Sequence, residues 1–239
     1  MENDNKKNKL VKEVKDIIKS IPIGEHVFNV LTAILASVPI GASFTSLLKD
    51  YIPNARFRRI DKFVRQVAED LKRLSDRIDV DYITKDEFAY MFEQSFRGVA
   101  QNYQEEKIEA FRAILLNSAI RKDVIQDEKE FYLSLVNSLS VVHIRILKFL
   151  ANPEAYISEQ GINRDSIQGG FRDIFRTLMP ELETMIVESA FGDLYQLGLI
   201  GTDKTIFRTT TSSSGLQLVG YGCRVQDLGK RFIGFCISP

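Results

Sequence analysis

The fold class is decided by a run of 24 residues, ARFRRIDKFVRQVAEDLKRLSDRI, at positions 55–78. Large apolar residues recur at every third or fourth position of this run, and charged residues occupy most of the positions between them. This spacing places the apolar side chains along one face of an α-helix. The predicted stripe consists of Phe57, Ile60, Val64, Val67, Leu71, Leu74 and Ile78. The run therefore predicts an amphipathic helix that packs against other helices.

Similar patterns on both sides of this run predict an N-terminal helical bundle. Apolar residues at helical spacing occupy 9–19, 84–99 and 105–120, and the connections after residue 78 are short. Short connections favour antiparallel neighbouring helices. We therefore expect a bundle over 9–125, preceded by a polar tail at 1–8 that we expect to be disordered.

The remaining part of the chain, 126–239, combines helical patterns with a change of period. The predicted helices occupy 127–150, 165–178 and 181–197. The predicted strands occupy 205–211 and 216–225, which are rich in β-branched and aromatic residues and flank a Ser-Ser-Ser-Gly turn. For 231–237 we predict a last strand or a short helix. Three helices followed by a β-hairpin is the order of a winged helix-turn-helix. The predicted fold class is mainly α, a helical bundle followed by a winged-helix-like module.

Two short motifs strengthen this interpretation by resemblance. DLYQLGLI at 193–200 looks like the end of a winged-helix recognition helix that enters its wing, and DLGKRFI at 227–233 resembles an ending common in prokaryotic winged-helix proteins. The layout resembles bacterial proteins with a helical N-terminal half and a C-terminal winged-helix module, distantly including abortive-infection proteins of the alpha type. The resemblance implies a fold and a phage-defence context, and it implies no catalytic residue.

The composition indicates a cytoplasmic protein without an overall electrostatic field. Lys plus Arg and Asp plus Glu both total 32, so the net charge is zero. The polar start at 1–10 lacks the apolar core of a secretory signal. Cys223 and Cys236 are too few for a disulfide scaffold, and we expect free thiols in a reducing compartment.

The residues that usually perform catalysis are sparse, and we expect no enzyme, no metal and no cofactor. The two histidines, His26 and His143, fall in different predicted elements. No Cys-x-x-Cys or His-Glu-x-x-His spacing for zinc occurs, and Gly220-Tyr221-Gly222 lacks the third glycine of a dinucleotide-binding loop. A packed or surface role is the expectation for His143.

Nucleic-acid binding is possible for a winged helix, but the predicted recognition helix disfavours it. The segment 181–197 contains four carboxylates and no Lys or Arg. Because phosphate neutralisation supplies most of the non-specific affinity of DNA-binding proteins, an acidic recognition helix is repelled by DNA. The basic residues that remain candidates for nucleic-acid contact are Arg172, Arg176, Lys204, Arg208 and Arg224.

The uncharged segment 27–48 leaves two interpretations open. Its 22 residues are long enough to cross a hydrocarbon core of about 30 Å, although a Pro-Ile-Gly break divides it. A basic cluster follows it and is a candidate for anionic-surface contact, through Arg56, Arg58, Arg59, Lys62 and Arg65. We favour a buried helical hairpin, and the alternative is a segment that associates with a membrane on activation.

These observations predict a non-enzymatic interaction or regulatory protein, with a protein partner or self-association and a role in bacterial phage defence. Two alternatives belong to other classes. One is a membrane-disrupting effector that uses the apolar hairpin of 27–48, and the other is a winged-helix DNA-binding regulator.

Overall fold

The computed structural model describes residues 52–74, 76–83, 85–208 and 225–237. Within these ranges the chain is mainly α-helical, as predicted, and an antiparallel β-bridge joins Ile200 to Val225. The described residues form two compact units, the first ending at Ser138 and the second beginning at Leu139. The predicted tail 1–8 and the apolar segment 27–48 lie outside the described residues.

The first unit is a bundle of helices around one central element. Its helices are α1 (Ile52–Arg73), α2 (Val80–Ile83), α3 (Asp86–Gln101), α4 (Glu105–Ile120) and α5 (Gln126–Ser138). Helix α4 packs against α1, α3 and α5, and most of its residues from Lys107 to Ala119 are buried. A helix that is apolar on nearly all sides belongs at the centre of a bundle, and α4 has the bounds that the sequence predicts.

The stripe that the run 55–78 predicts is confirmed where the side chains are described. Ile60, Val67 and Leu71 are buried, and Phe63 beside the stripe is buried against Phe96 of α3. The helix ends at Arg73 rather than at residue 78, and Ile78 is buried beyond its end. The pattern therefore identified the buried face but overestimated the length of the helix.

Two buried lysines join α4 and α5 at their ends. Lys107, in the first turn of α4, donates to the carbonyls of Val136 at 2.6 Å and Asn137 at 3.1 Å. Lys129, in α5, donates to the Ser118 carbonyl at 3.0 Å and lies 3.7 Å from the centre of the Tyr82 ring. Each ammonium thus satisfies carbonyls in the last turn of the neighbouring helix, where the helix dipole favours a cation.

The boundary between the compact units differs from the predicted one. The sequence placed it after residue 125, which assigns α5 to the second domain, whereas α5 packs on α3 and α4 in the first unit. The predicted helix 127–150 is also wrong as one element, because α5 ends at Ser138 and α6 (Val141–Ala151) begins after Ser140. Ser140 and His143 form a capping box that starts the new helix.

The second unit contains α6, α7 (Pro153–Glu159), α8 (Phe171–Leu178), α9 (Thr184–Gln196) and α10 (Asp227–Cys236) among its described residues. Its core is a cluster of aromatic rings whose neighbouring centres lie 5.2–6.2 Å apart, mostly edge to face. The cluster contains Phe149, Phe171, Phe175, Phe191 and Phe207. Aromatic pairs in this geometry stabilise a core beyond the burial of their area.

Two predicted elements of this unit are corrected by the structure. The helix predicted over 165–178 begins only at Phe171, because Gly169-Gly170 interrupts it and Gly170 occupies the N-cap of α8. The strand predicted over 205–211 begins as a 3-10 helix, Lys204–Arg208. Asp203 accepts the Thr205 N–H at 2.9 Å, and this turn directs Phe207 into the aromatic cluster. The rest of the predicted hairpin, 209–224, lies outside the described residues.

The C-terminal motif forms α10, which is the short-helix alternative for 231–237. The Gln226 N–H donates to the Leu199 carbonyl at 3.0 Å, next to the bridge between Ile200 and Val225. A Cβ at Gly229 would lie 2.1 Å from the same Leu199 carbonyl oxygen. The motif therefore needs glycine at this position so that α10 can approach the backbone that follows α9.

Candidate functional site: the outer face of α9

Helix α9 corresponds to the segment that the sequence predicts to be the recognition helix of a winged-helix-like module. Its inner face is buried, and Phe191 on that face contacts Phe171 and Phe207. The helix extends over Thr184–Gln196, three residues shorter at its start than the predicted 181–197. The aromatic core fixes which side of α9 faces solvent.

The solvent side of α9 carries exposed apolar side chains beside polar ones. Met185 is 71% exposed, Ile186 is 47% exposed, and Leu197, which follows the last helical residue, is 40% exposed. At 100° per residue these side chains share one face about 120° wide with three exposed polar residues. We define the α9 outer face as Met185, Ile186, Ser189, Asp193, Gln196 and Leu197. Residue type alone shows that Met185 and Leu197 are apolar, and it does not indicate that they are exposed.

The acidic residues of α9 have partners within the chain. Glu188 lies beside the outer face and pairs with Arg172 of α8 at 3.0 Å. Asp193 lies on the outer face and accepts from His143 of α6 at 3.3 Å. Two acidic residues of this helix are therefore engaged in contacts with α6 and α8.

Glu181, just before α9, pairs with Arg145 of α6. The hydrogen bond from Arg145 lowers the pKa of the Glu181 carboxyl below its usual value, so this group stays ionised at neutral pH. The carboxylate and the guanidinium hold the segment that enters α9 against α6. Glu181 thus has a structural contact rather than an open position on a recognition surface.

His143 connects the start of α6 to α9. Its Nδ1 accepts the backbone N–H of Ser140 at 3.0 Å and lies 2.7 Å from the Ser140 hydroxyl oxygen. Because Nδ1 accepts the capping N–H, the hydrogen-bond network assigns the ring proton to Nε2, which donates to Asp193. The imidazole thus caps one helix and positions a side chain of another.

Sequence reasoning missed the role of Ser140 and His143, although a signal was present. Ser-x-x-His has the spacing of a capping box, with His in place of the usual Glu or Gln at the third helical position. The packed or surface role expected for His143 stays a prediction. His26 lies outside the described residues.

Four of the five candidates for nucleic-acid contact lie in α8 and in the 3-10 helix that follows α9. Arg172 pairs with Glu188, and the Nε of Arg176 donates to the Thr184 hydroxyl at 3.3 Å. Lys204 and Arg208 are exposed on the 3-10 helix that follows α9, and the Lys204 stem lies over Gly192. Arg224 lies outside the described residues. Two of the four described candidates therefore already bind residues of α9.

The candidates for membrane contact lie on α1, in the first unit. Lys62 pairs with Glu105 at 2.5 Å, and Arg59 donates to the Ala100 carbonyl at 3.4 Å. Arg65 is half-buried. Arg56 and Arg58 belong to the helix, but their side chains lie outside the described part. The two basic side chains with known contacts thus fasten α1 to the connection between α3 and α4.

No single described helix is both long enough and apolar enough to cross a membrane. Helices α5 and α6 reach the required length and hydropathy only as a pair, and this test considers length and composition alone. Within the described ranges, no group of three or more His, Cys, Asp and Glu side chains is placed to hold a metal ion.

Comparison with protein-family models, curated proteins and solved structures found no match.

Proposed function

We propose that this chain is a non-enzymatic interaction protein whose second unit binds protein through the α9 outer face. The observation that supports this most directly is the exposure of Met185, Ile186 and Leu197 on a helix without a single basic residue. Apolar side chains gathered on one exposed face are typical of protein–protein interaction sites. A DNA-reading helix instead needs cations at the phosphates, and α9 offers none.

The charge arrangement around α9 also favours a protein partner. Arg172 and Arg176, on the preceding helix α8, bind Glu188 and Thr184 of the same unit. A phosphate bound by either of them would share the guanidinium with these contacts. We propose bacterial defence in the cytoplasm as the setting of this interaction, on the resemblance to abortive-infection proteins alone.

The first test is DNA binding of the purified chain, measured by fluorescence anisotropy with random duplex DNA at physiological salt. We expect no sub-micromolar affinity, because the helix that would enter the groove carries no cation. A sub-micromolar affinity that falls steeply with salt would overturn the proposal and establish the DNA-binding regulator instead.

The second test locates the interaction on the chain. We would cross-link the tagged chain in its native host and compare wild type with Met185→Glu. The matched control is Ile125→Glu, because Ile125 is an apolar residue of similar exposure, 68%, in the first unit. We expect the wild-type chain to form covalent adducts with another protein or with a second copy. Met185→Glu should reduce the yield of these adducts at least tenfold, and Ile125→Glu should leave it unchanged. Equal adducts in all three proteins would contradict a role for α9.

A further inference from the structure

The His143 imidazole can hold the start of α6 only while it is neutral. Its Nδ1 accepts the backbone N–H of Ser140 at 3.0 Å, and its Nε2 lies 3.3 Å from a carboxylate oxygen of Asp193 in α9. A protonated imidazole donates at both nitrogens and accepts at neither. A proton on Nδ1 therefore removes the acceptor of the Ser140 N–H, which is one of the two hydrogen bonds of the capping box.

The Ser140 hydroxyl compensates for only part of this loss. Its oxygen accepts the backbone N–H of His143 and lies 2.7 Å from Nδ1. In the neutral form the hydroxyl can donate to Nδ1, and in the protonated form it can accept from Nδ1–H instead. The hydroxyl contact thus survives protonation, whereas the bond from the Ser140 N–H does not.

The surroundings of the ring also disfavour a positive charge. The His143 side chain is only 13% exposed, and it lies at the N-terminus of α6, the positive end of the helix dipole. Asp193 acts in the opposite direction, but its side chain is 55% exposed. Since an ion pair with a solvent-exposed partner contributes little, the cap, the burial and the dipole outweigh it.

The other charged side chains near α6 have contacts of their own or are exposed. Helices α7, α8, α9 and α10 pack against α6. The pairs are Arg145 with Glu181, Arg172 with Glu188, Arg164 with Glu154 and Lys230 with Asp227, and the exposed residues are Glu159, Asp173, Arg176, Glu183 and Arg231. Lys148 lies five residues further along α6, about 140° around the helix. Within the part of the chain that the structure describes, Asp193 is the charged group that we assign to the His143 ring.

We infer that Ser140, His143 and Asp193 form a pH-sensitive joint, which holds the start of α6 to α9 at neutral pH and loosens in mildly acidic solution. The inference does not rest on the proposed function, because it concerns contacts inside the second unit. An unfolded chain takes up a proton on histidine near pH 6.5. The folded chain must give up a cap hydrogen bond to take up the same proton. Below about pH 6.5 the unfolded chain therefore binds more protons at this site, and the contribution of the joint to stability falls as the pH falls.

Urea denaturation of the full chain, followed by the NMR signals of α6 and α9, tests this dependence at about pH 7.5 and about pH 5. The matched variant is His143→Gln, because Gln is a usual capping-box residue at this position and does not titrate. Between the two pH values, the unfolding equilibrium constant of wild type should rise at least about fivefold more than that of His143→Gln, as for a lost cap. An equal rise in both proteins would refute the joint.

Asp193→Asn determines the sign of the effect. This variant keeps the cap but removes the charge that favours a protonated ring, so its unfolding constant should rise more steeply with acid than that of wild type. If acid instead stabilises wild type and Asp193→Asn abolishes that gain, the contact is an ion pair that strengthens on protonation, and the inference is wrong.

The ring itself can be observed in wild type, which keeps the test valid even if His143→Gln folds poorly. The chain has one other histidine, His26, so His26→Gln leaves the His143 signals alone in the imidazole spectrum. At about pH 8 the nitrogen shifts should show the ring proton on Nε2, and titration of the ring should shift the Ser140 amide signal and lower its protection from exchange. A ring proton on Nδ1 at that pH, or a Ser140 amide that does not respond to the titration, would contradict the inference.

Discussion

Gly98 sets how closely α3 and α4 approach each other. A Cβ at this position would lie 2.1 Å from Cζ of Phe111, whose ring is fully buried in the first unit. Tight helix contacts of this kind depend on a residue without a side chain, and this one was not visible in the apolar pattern of α3.

Gly98→Ala should therefore lower the free energy of unfolding by about 1–3 kcal/mol, because overpacking outweighs the gain in helix propensity. The matched control is Gly234→Ala in α10, where a new Cβ meets no atom within 4 Å. That change should stabilise the chain by about 0.5–1 kcal/mol through helix propensity alone. Chemical denaturation measures both, and equal effects of the two substitutions would refute the close approach at Gly98.

Helices α4 and α5 are joined by the buried ammonium groups of Lys107 and Lys129. Burial lowers the pKa of both lysines below the value of 10.5 for an unperturbed side chain. Between the lowered pKa and 10.5, the unfolded chain binds more protons at these sites than the folded chain does. Their contribution to stability therefore rises with pH in this window, and the neutral amines still donate to the same carbonyls.

Lys107→Met should destabilise the first unit by about 1–3 kcal/mol, because the carbonyls of Val136 and Asn137 lose their buried donor. The difference from wild type should grow as the pH rises from about 7 toward 10.5. Lys122→Met, at an exposed lysine of the same unit, is the control and should show no such growth. Urea denaturation at several pH values gives these differences, and a pH-independent difference would contradict the lowered pKa.

The compact units each have their own core, so each should fold without the other. The aromatic cluster of the second unit and the α4-centred bundle of the first are built from different segments of the chain. We expect separate chains covering 1–138 and 139–239 to retain helical content and to unfold cooperatively.

Cutting at the boundary that the sequence suggested provides the control. A chain covering 1–125 lacks α5, which exposes one side of α4 and removes the carbonyl partners of Lys107. It should lose cooperative unfolding, as measured by circular dichroism during heating. If 1–125 proves as stable as 1–138, then α5 is not part of the first unit.

The sequence by itself determined much of the helical architecture. The run 55–78 identified the buried face of α1, the pattern at 105–120 gave the bounds of α4, and the composition of 181–197 excluded a basic recognition helix. These features follow from the period of 3.6 residues and from residue type, both of which are local properties. The winged-helix hairpin stays a prediction, since 209–224 lies outside the described residues.

The tertiary structure alone decided the membership of α5 and the side of α9 that faces solvent, and it revealed the helix break at Ser140. The apolar residues of α9 occur on more than one side of the helix. Periodicity therefore could not distinguish the buried Val187 and Leu194 from the exposed Met185 and Leu197. The aromatic cluster makes that choice, because Phe191 must meet rings from α8 and from the 3-10 helix that follows α9. Those rings are distant in the sequence, and only packing brings them together.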